Sequence, residues 1–215
     1  MTGNNTLFQL RAVSLWLTTA LLLCAFSIAG CAPKRNFQMI ASPPEIIVQN
    51  GYSFVPLDEP EWYVIGRSPI AIALAKRGVN IDETYAVQGK LFRIGDFASD
   101  EAFVAAVKQG QENDTDIANP ERFKTIIHDV ELYPHKGENC AFSHIVTEDH
   151  AAQKRSNTVG VMILDIYGLV CRHPQNRNAG FSFNYSQRNY TENLDADIER
   201  KAKQLIESVE FTTLH

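Results

Sequence analysis

The N-terminal segment limits what this chain can fold into more than any other feature, because it sets aside about 30 residues that do not belong to the folded part. Arg11 is the only charged residue before Lys34. It precedes an apolar run from Val13 to Phe26 that is broken only by three hydroxyl residues. One positive charge followed by a short apolar run is the layout of a secretory signal peptide. We therefore expect the remaining chain to fold outside the cytoplasm.

The apolar run ends in Ser27-Ile28-Ala29-Gly30-Cys31. This segment resembles the lipobox of bacterial lipoproteins, in which an aliphatic residue and two small residues precede a cysteine that receives diacylglycerol. The resemblance implies that residues 1–30 are removed between Gly30 and Cys31, and that Cys31 holds the mature chain on a membrane, facing the periplasm. Ala32 after the cysteine resembles a sorting signal for the outer membrane. A retained transmembrane anchor is the alternative, since residues 12–33 are uncharged and long enough to cross a bilayer.

The four cysteines divide between the two parts of the chain. Cys24 lies in the signal segment, Cys31 is the lipidation residue, and Cys140 and Cys171 remain in the folded part. An even pair in an oxidising compartment predicts a disulfide between Cys140 and Cys171. Such a bond would stabilise the fold by roughly 3 to 4 kcal/mol on the chain-entropy model. Two buried free thiols are the alternative.

Charge narrows the classes of partner. Removing Arg11 with the signal segment changes the formal net charge from -5 to -6, because one positive charge is lost. This mild acidity is spread along the chain, which argues against nucleic acid as a partner and against a basic patch for anionic headgroups. No cofactor is expected, because a domain held outside the cytoplasm has no access to ATP or NAD.

Residues 31–50 are predicted to form an extended tether, stiffened by three prolines, with a short strand at 46–48. A single domain is predicted over residues 51–215. Its β-branched and aromatic runs, separated by proline and glycine, are typical of antiparallel strands. We expect strands at 51–55, 62–65, 70–74, 83–94, 125–133, 139–147, 158–171 and 181–185.

Two helices and one single helical turn are predicted. Ser99 stands at an N-cap position before two acidic residues, and apolar residues at helical spacing follow until Gly110, which is expected to end the helix. A single helical turn is expected after Asn119-Pro120. The clearest period lies near the C-terminus, on a stripe formed by Leu194, Ile198, Ala202, Leu205, Ile206 and Val209. Together these features predict an α+β fold, with a mostly antiparallel sheet on which a mid-chain helix and a C-terminal amphipathic helix pack.

Several short aromatic and turn motifs resemble the PsbP/Mog1-like α/β/α sandwich over residues 51–213. They are Gly51-Tyr52-Ser53-Phe54, Trp62-Tyr63, Tyr185-Ser186-Gln187-Arg188 and Ser208-Val209-Glu210-Phe211. The chain is also similar to uncharacterised bacterial lipoproteins with Cys-x-His-Pro, here 171–174, before a Tyr-Ser-x-Arg strand. The resemblance implies a non-enzymatic accessory or assembly module that binds through a surface of the sandwich, and it does not identify the partner. The expected location makes an envelope protein the possible partner. No functional residue carries over, because the photosystem member's metal-binding and docking residues have no match here.

The densest group of potential metal ligands is His144, Glu148, Asp149 and His150. Imidazole and carboxylate groups suit zinc. Alternate residues of a strand share a face, so His144 and Glu148 point the same way, and a site would need further ligands from elsewhere. Solvated loop residues are the alternative, and no metal site is predicted from this group alone.

His173, which precedes Pro174, could act as a catalytic base. With His144 and His150 it defines the enzyme alternative, a hydrolase or a metal-dependent activity that uses nearby carboxylates. The sequence has no Gly-x-Ser-x-Gly, no Gly-rich phosphate loop, no His-Glu-x-x-His and no Cys-x-x-Cys. The other interpretation of His173 is that it shapes the turn after Cys171. No catalytic residue is predicted.

Three arginines, Arg172, Arg177 and Arg188, flank a polar loop. With Tyr185 and Tyr190 they could form an anion-binding edge, since tyrosine and arginine are common interface anchors. The alternative is a solvated loop with one arginine packed over a tyrosine ring. The function predicted from the sequence is therefore a lipid-anchored binding or assembly module, with an enzyme as the alternative.

Overall fold

Antiparallel strands dominate the computed structural model, which describes residues 37–114 and 119–215. Within these ranges the strands are β1 Gln38–Met39, β2 Ile47–Gln49, β3 Tyr52–Phe54, β4 Tyr63–Ser68, β5 Ala71–Arg77, β6 Thr84–Arg93, β7 Phe123–His135, β8 Glu138–Asp149, β9 Met162–His173, β10 Asn176–Tyr190 and β11 Glu210–Phe211. Eight of them form one sheet in the order β1-β4-β5-β6-β10-β9-β8-β7, and three form a small sheet in the order β11-β3-β2. All pairs are antiparallel.

Two α-helices complete the described part of the chain, α1 Asp100–Glu112 and α2 Ile198–Glu207. The Ser99 side chain accepts a hydrogen bond from the Ala102 N–H and caps α1, as predicted. Gly110 does not end this helix, which continues to Glu112. The space beside Gly110 is open, with no atom within 4 Å of the place a Cβ would occupy. These elements confirm the α+β class with a mostly antiparallel sheet and two helices.

The single helical turn expected after Asn119-Pro120 is present and does not continue, because the Asn119 carbonyl accepts hydrogen bonds from the N–H groups of Arg122 and Phe123. The Asn119 side chain accepts hydrogen bonds from the N–H groups of Glu121 and Arg122. Phe123 is already the first residue of β7. The cap therefore leads into a strand, because Phe123 pairs with Asp149 of β8.

Period-two alternation gives the large sheet one apolar face, here called the core face. Its centre consists of Leu169 and Cys171 on β9 with Phe181, Phe183 and Tyr185 on β10, all nearly inaccessible to solvent. The small sheet and α2 cover this face, and the predicted stripe of α2 buries its apolar side chains there. Leu194 is the exception, because it precedes the helix and is exposed.

A disulfide between Cys140 of β8 and Cys171 of β9 crosses the core face. Both residues are fully buried. They sit beside the aligned pair Ala141 and Val170 in neighbouring antiparallel strands, so the backbone brings their Cβ atoms close. This is the pair that the cysteine count favours.

The folded unit begins at Phe37, not at residue 51 where the sequence placed the end of a tether. Gln38 and Met39 pair with Val64 and Tyr63. The strand expected at 46–48 is present one residue later and pairs with β3. Short edge strands tolerate the intervening prolines, which lack an N–H group. Residues 1–36, which include the signal segment and Cys31, lie outside the described residues.

No helix within 37–114 or 119–215 combines the length and the apolarity needed to cross a membrane.

Candidate functional site

The second face of the large sheet, here called the open face, is only partly covered. Helix α1 packs over β7 and β8, and Phe103 of α1 is fully buried. On this face α1 borders β6 and β10 only along its 106–111 side. Register aligns Ala73 with Gln88, Gln88 with Asn184, and Asn184 with Gly168. Two amide side chains, Gln88 and Asn184, therefore lie side by side across this part of the face, with a small residue on either side of them.

A groove of about 400 Å³ runs between the C-terminal end of α1 and the strands β6 and β10. Its sides and floor carry Gln88, Lys90, Gln111, Ser143, Asn184 and Ser186. The lining also includes four apolar side chains, Ala86, Ile145, Leu164 and Ile166. Lys90 and Arg188 contribute positive charges and Asp114 a negative one. This surface is the candidate functional site.

Gln111 fixes the helical wall of the groove. Its Nε2 donates to the Ser143 Oγ at 3.0 Å, and its Oε1 accepts from the His128 Nε2 at 3.0 Å. That arrangement assigns the His128 proton to Nε2. Burial lowers the pKa of His128, with the nearby Lys108 charge acting in the same direction. A neutral His128 thus holds the end of α1 against β7.

Gln88, Lys90 and Asn184 differ from Gln111, because their side chains make no hydrogen bond to another residue in the described ranges. An amide offers two N–H donors and an acceptor oxygen, and an ammonium offers three donors. These groups project from regular strands, which hold them in fixed positions. The groove can therefore satisfy the main-chain N–H and C=O groups of a bound chain.

Two of the four potential metal ligands, His144 and Asp149, point away from each other. The His144 Nε2 lies 3.0 Å from the Asp165 Oδ1, and its ring stacks on Tyr167 with centroids 4.2 Å apart. Asp149 lies on the opposite face of β8 and is held by Arg122 at 3.0 and 3.1 Å. Neighbouring strand residues diverge in this way because side chains alternate between faces.

The remaining two, Glu148 and His150, contact each other at 3.0 Å on the surface. Lys124 also binds Glu148, at 3.2 Å. No three potential ligands converge closely enough to hold a metal ion in the residues that the structure describes.

His173 is fully buried and both of its ring nitrogens are engaged. Its Nδ1 accepts from the Gln175 N–H at 3.2 Å, so the proton is on Nε2. The Nε2 donates to the Gly51 carbonyl at 2.8 Å. His173 therefore shapes the hairpin turn after β9 and ties it to the small sheet, which matches the turn interpretation rather than that of a catalytic base.

The arginines do not form the anion-binding edge considered from the sequence. Arg172 pairs with Asp100, Arg177 with Glu138, and Arg188 with Asp149, each a different carboxylate. Tyr185 is buried on the core face and Arg188 lies on the open face, because three positions along a strand invert the side chain. Tyr190 instead donates its hydroxyl to Asp82 at 3.0 Å.

Sequence reasoning missed Asp82, a buried carboxylate in the β5–β6 turn. It accepts hydrogen bonds from the N–H groups of Arg155 and Ser156, from the Ser156 hydroxyl and from the Tyr190 hydroxyl. The Ser156 hydroxyl contributes most to lowering the pKa of Asp82, to about 2. Asp82 thereby holds the segment after β8 against the sheet. The Asp82-Glu83 pair in a turn carries no motif, and its partners are distant in sequence, so no sequence signal pointed to this role.

The groove residues were also missed, although a signal for them existed. Gln88 and Lys90 alternate with apolar or small residues along β6, and Ser182, Asn184 and Ser186 do so along β10. Reading these polar positions as one shared surface requires the register between β6 and β10, which is a property of the fold and not of either strand.

Comparisons with known proteins give a likeness of structure alone. No protein-family model matches this chain, and no curated protein matches it in sequence. Among solved structures, it is similar to the solution structure of cyanobacterial PsbP (CyanoP) from Synechocystis sp. PCC 6803. The two are 14% identical, the match covers 86% of this chain and 99% of that chain, and the TM-score is 0.46. At that TM-score the likeness is one of general arrangement, and no family is assigned.

Proposed function

We propose that this chain is a lipid-anchored, non-enzymatic module of the bacterial envelope, held on the periplasmic side of the outer membrane by lipid on Cys31. Its role is to bind an exposed segment of an envelope protein in the groove of the open face. The observation that carries the binding proposal is the set Gln88, Lys90 and Asn184, whose side chains have no hydrogen-bond partner among the described residues and line an uncovered sheet surface.

A protein segment fits this groove better than an apolar small molecule does. Ligand pockets for small molecules are mostly enclosed and apolar, with few polar groups. This groove lies open along two strands, and six of its thirteen lining residues carry an amide or a hydroxyl, beside four apolar and three charged side chains. An extended segment presents an N–H and a C=O group at every residue, and these match amide side chains that both donate and accept.

The anchoring part of the proposal rests on the sequence of residues 1–31. Its test is metabolic labelling of bacterial cells with a fatty acid, followed by mass spectrometry of the purified chain. The expected mature chain begins at Cys31 and carries lipid, and the Cys31→Ser variant is unlabelled and is lost from the membrane fraction. An intact residue 1–30 segment on the membrane-bound protein would contradict it and would favour the transmembrane anchor.

The binding part is tested with a photo-crosslinking amino acid placed at Gln88 in intact cells. Gln204 provides a matched control, because it is the same residue type and is exposed on α2, which covers the core face. The expected result is a discrete crosslinked envelope protein from position 88 and none from position 204. Equal crosslinking from both positions, or none from position 88, would contradict the groove as the binding site.

A further inference from the structure

Four exposed apolar side chains lie at the β1–β4 edge of the large sheet. Met39 is 60% exposed and its neighbour Tyr63 is 36% exposed. Phe37, just before β1, and Ile65 of β4 are exposed to similar extents. These four residues, Phe37, Met39, Tyr63 and Ile65, are here called the edge patch.

The backbone fixes the edge patch in an outward orientation. Met39 pairs with Tyr63 in the register of β1 and β4. The Ile40 N–H donates to the Trp62 carbonyl at 2.8 Å, and Ile40 packs against the core. Since side chains alternate along an extended chain, Met39 must face away from that core. The core side of the edge is already filled by Trp62, which is 1% exposed, so the patch cannot turn inward.

The edge patch also lies close in sequence to the proposed lipid on Cys31. Five residues separate Cys31 from Phe37, and the six residue steps between them span at most about 20 Å. The opposite edge of the sheet, β7, is seven strand spacings away, or about 34 Å. When the β1 edge faces the membrane, this edge can therefore reach the bilayer. In the same orientation β7 is too far away to contact it.

We infer that the edge patch docks on the lipid bilayer and sets the orientation of the domain on the membrane. The chemistry suits an interface between headgroups and acyl chains, because a tyrosine ring has an apolar body and a polar tip. Arg67, exposed on the same strand β4, donates to the Val48 carbonyl and adds a positive charge beside the patch. This inference rests on the proposed anchoring for the position of the membrane.

The test uses tryptophan fluorescence in the mature chain, residues 31–215, coupled through the Cys31 thiol to a maleimide lipid. Met39→Trp reports on the edge patch. Ile126→Trp is the matched control, because Ile126 is an apolar residue of similar exposure, 53%, on the opposite edge strand β7. Trp62 is the only native tryptophan of residues 31–215, and its burial makes it a constant background.

The vesicles contain phosphatidylcholine and phosphatidylglycerol at a ratio of about three to one, with or without bromine on the acyl chains of the phosphatidylcholine. An interfacial side chain sinks roughly 5 to 10 Å into the boundary of headgroup and acyl chain, so brominated lipid should reduce the Met39→Trp emission roughly twofold. The Ile126→Trp emission should not change. Equal responses at the two positions would overturn the inference.

Self-association is a separate outcome that would also overturn it. If the edge patch binds a second copy of the chain, the uncoupled protein will sediment as a dimer, and the Met39→Trp emission will shift with protein concentration in the absence of vesicles. Because the lipid is attached chemically, the vesicle result does not depend on processing in cells. Failure of lipidation at Cys31 in cells would therefore count against the proposed function alone. Failure of the edge patch to dock would be seen separately, in the vesicle experiment.

Discussion

Loss of the Cys140–Cys171 disulfide should lower the free energy of unfolding by an amount that the structure defines. The bond joins residues 31 apart in sequence. In the chain-entropy model, closing a loop of that length reduces the entropy of the unfolded chain and contributes about 3.7 kcal/mol at 25 °C. Since single domains are stable by only about 5 to 15 kcal/mol, this is a large share of the total.

Urea unfolding of the oxidised chain, with and without reductant, isolates the crosslink because the sequence stays constant. With a urea slope of about 2 kcal/mol/M, the midpoint should fall by about 1.8 M in reductant. The double variant Cys140→Ala/Cys171→Ala should fall further, because it also removes two fully buried side chains from the core. An unchanged midpoint in reductant would refute the reasoning.

Three further perturbations test local features of the fold. Burial lowers the pKa of His135, so the stability that it contributes is retained above its ordinary pKa near 6.5 and lost on acidification, by up to about 1.4 kcal/mol per pH unit. The difference between the urea midpoints at pH 7 and pH 5 should therefore be smaller in His135→Gln than in the wild-type chain, and His128, whose pKa burial also lowers, accounts for part of what remains. Gly89→Ala places a Cβ 2.9 Å from the buried Tyr52 ring and should lower the free energy of unfolding, measured by thermal unfolding, by about 1 to 3 kcal/mol. Gly66→Ala is the control and should lower it little, because the nearest atom to its Cβ is 3.8 Å away. Asp82→Asn should speed amide exchange in 154–158, and unchanged exchange there would contradict the anchoring role of this carboxylate.

The local features of the fold could be predicted because they depend on neighbouring residues. Ser99 caps α1 through its own side chain, and the apolar stripe of α2 follows the helical period of its sequence. The strand expected at 158–171 is β9, which lies between β10 and β8. It begins only at Met162, because the apolar residues just before it do not pair, and Val159 is 94% exposed. In each case the signal and the structure occupy the same short segment.

Features that depend on pairing between distant segments could not be predicted. The prolines before residue 51 suggested a tether, but β1 and β2 gain stability by pairing with strands that follow them in sequence. Likewise, Arg188 and Tyr185 are near neighbours that the pleat sends to opposite faces. Gln88 and Asn184 become one surface only when β6 pairs with β10, and neither residue has a motif around it.

The groove of the open face is the surface on which the proposed function depends. The most direct measurement is recovery of its crosslinked envelope protein by co-purification from detergent-solubilised membranes. Each lost hydrogen bond weakens binding by about 1 kcal/mol, so the double variant Gln88→Ala/Asn184→Ala, which loses at least two, should weaken the affinity roughly 30-fold and reduce recovery accordingly. Gln204→Ala, on the other side of the molecule, should leave recovery unchanged. Equal recovery with the groove variant and the wild-type chain would contradict binding in the groove.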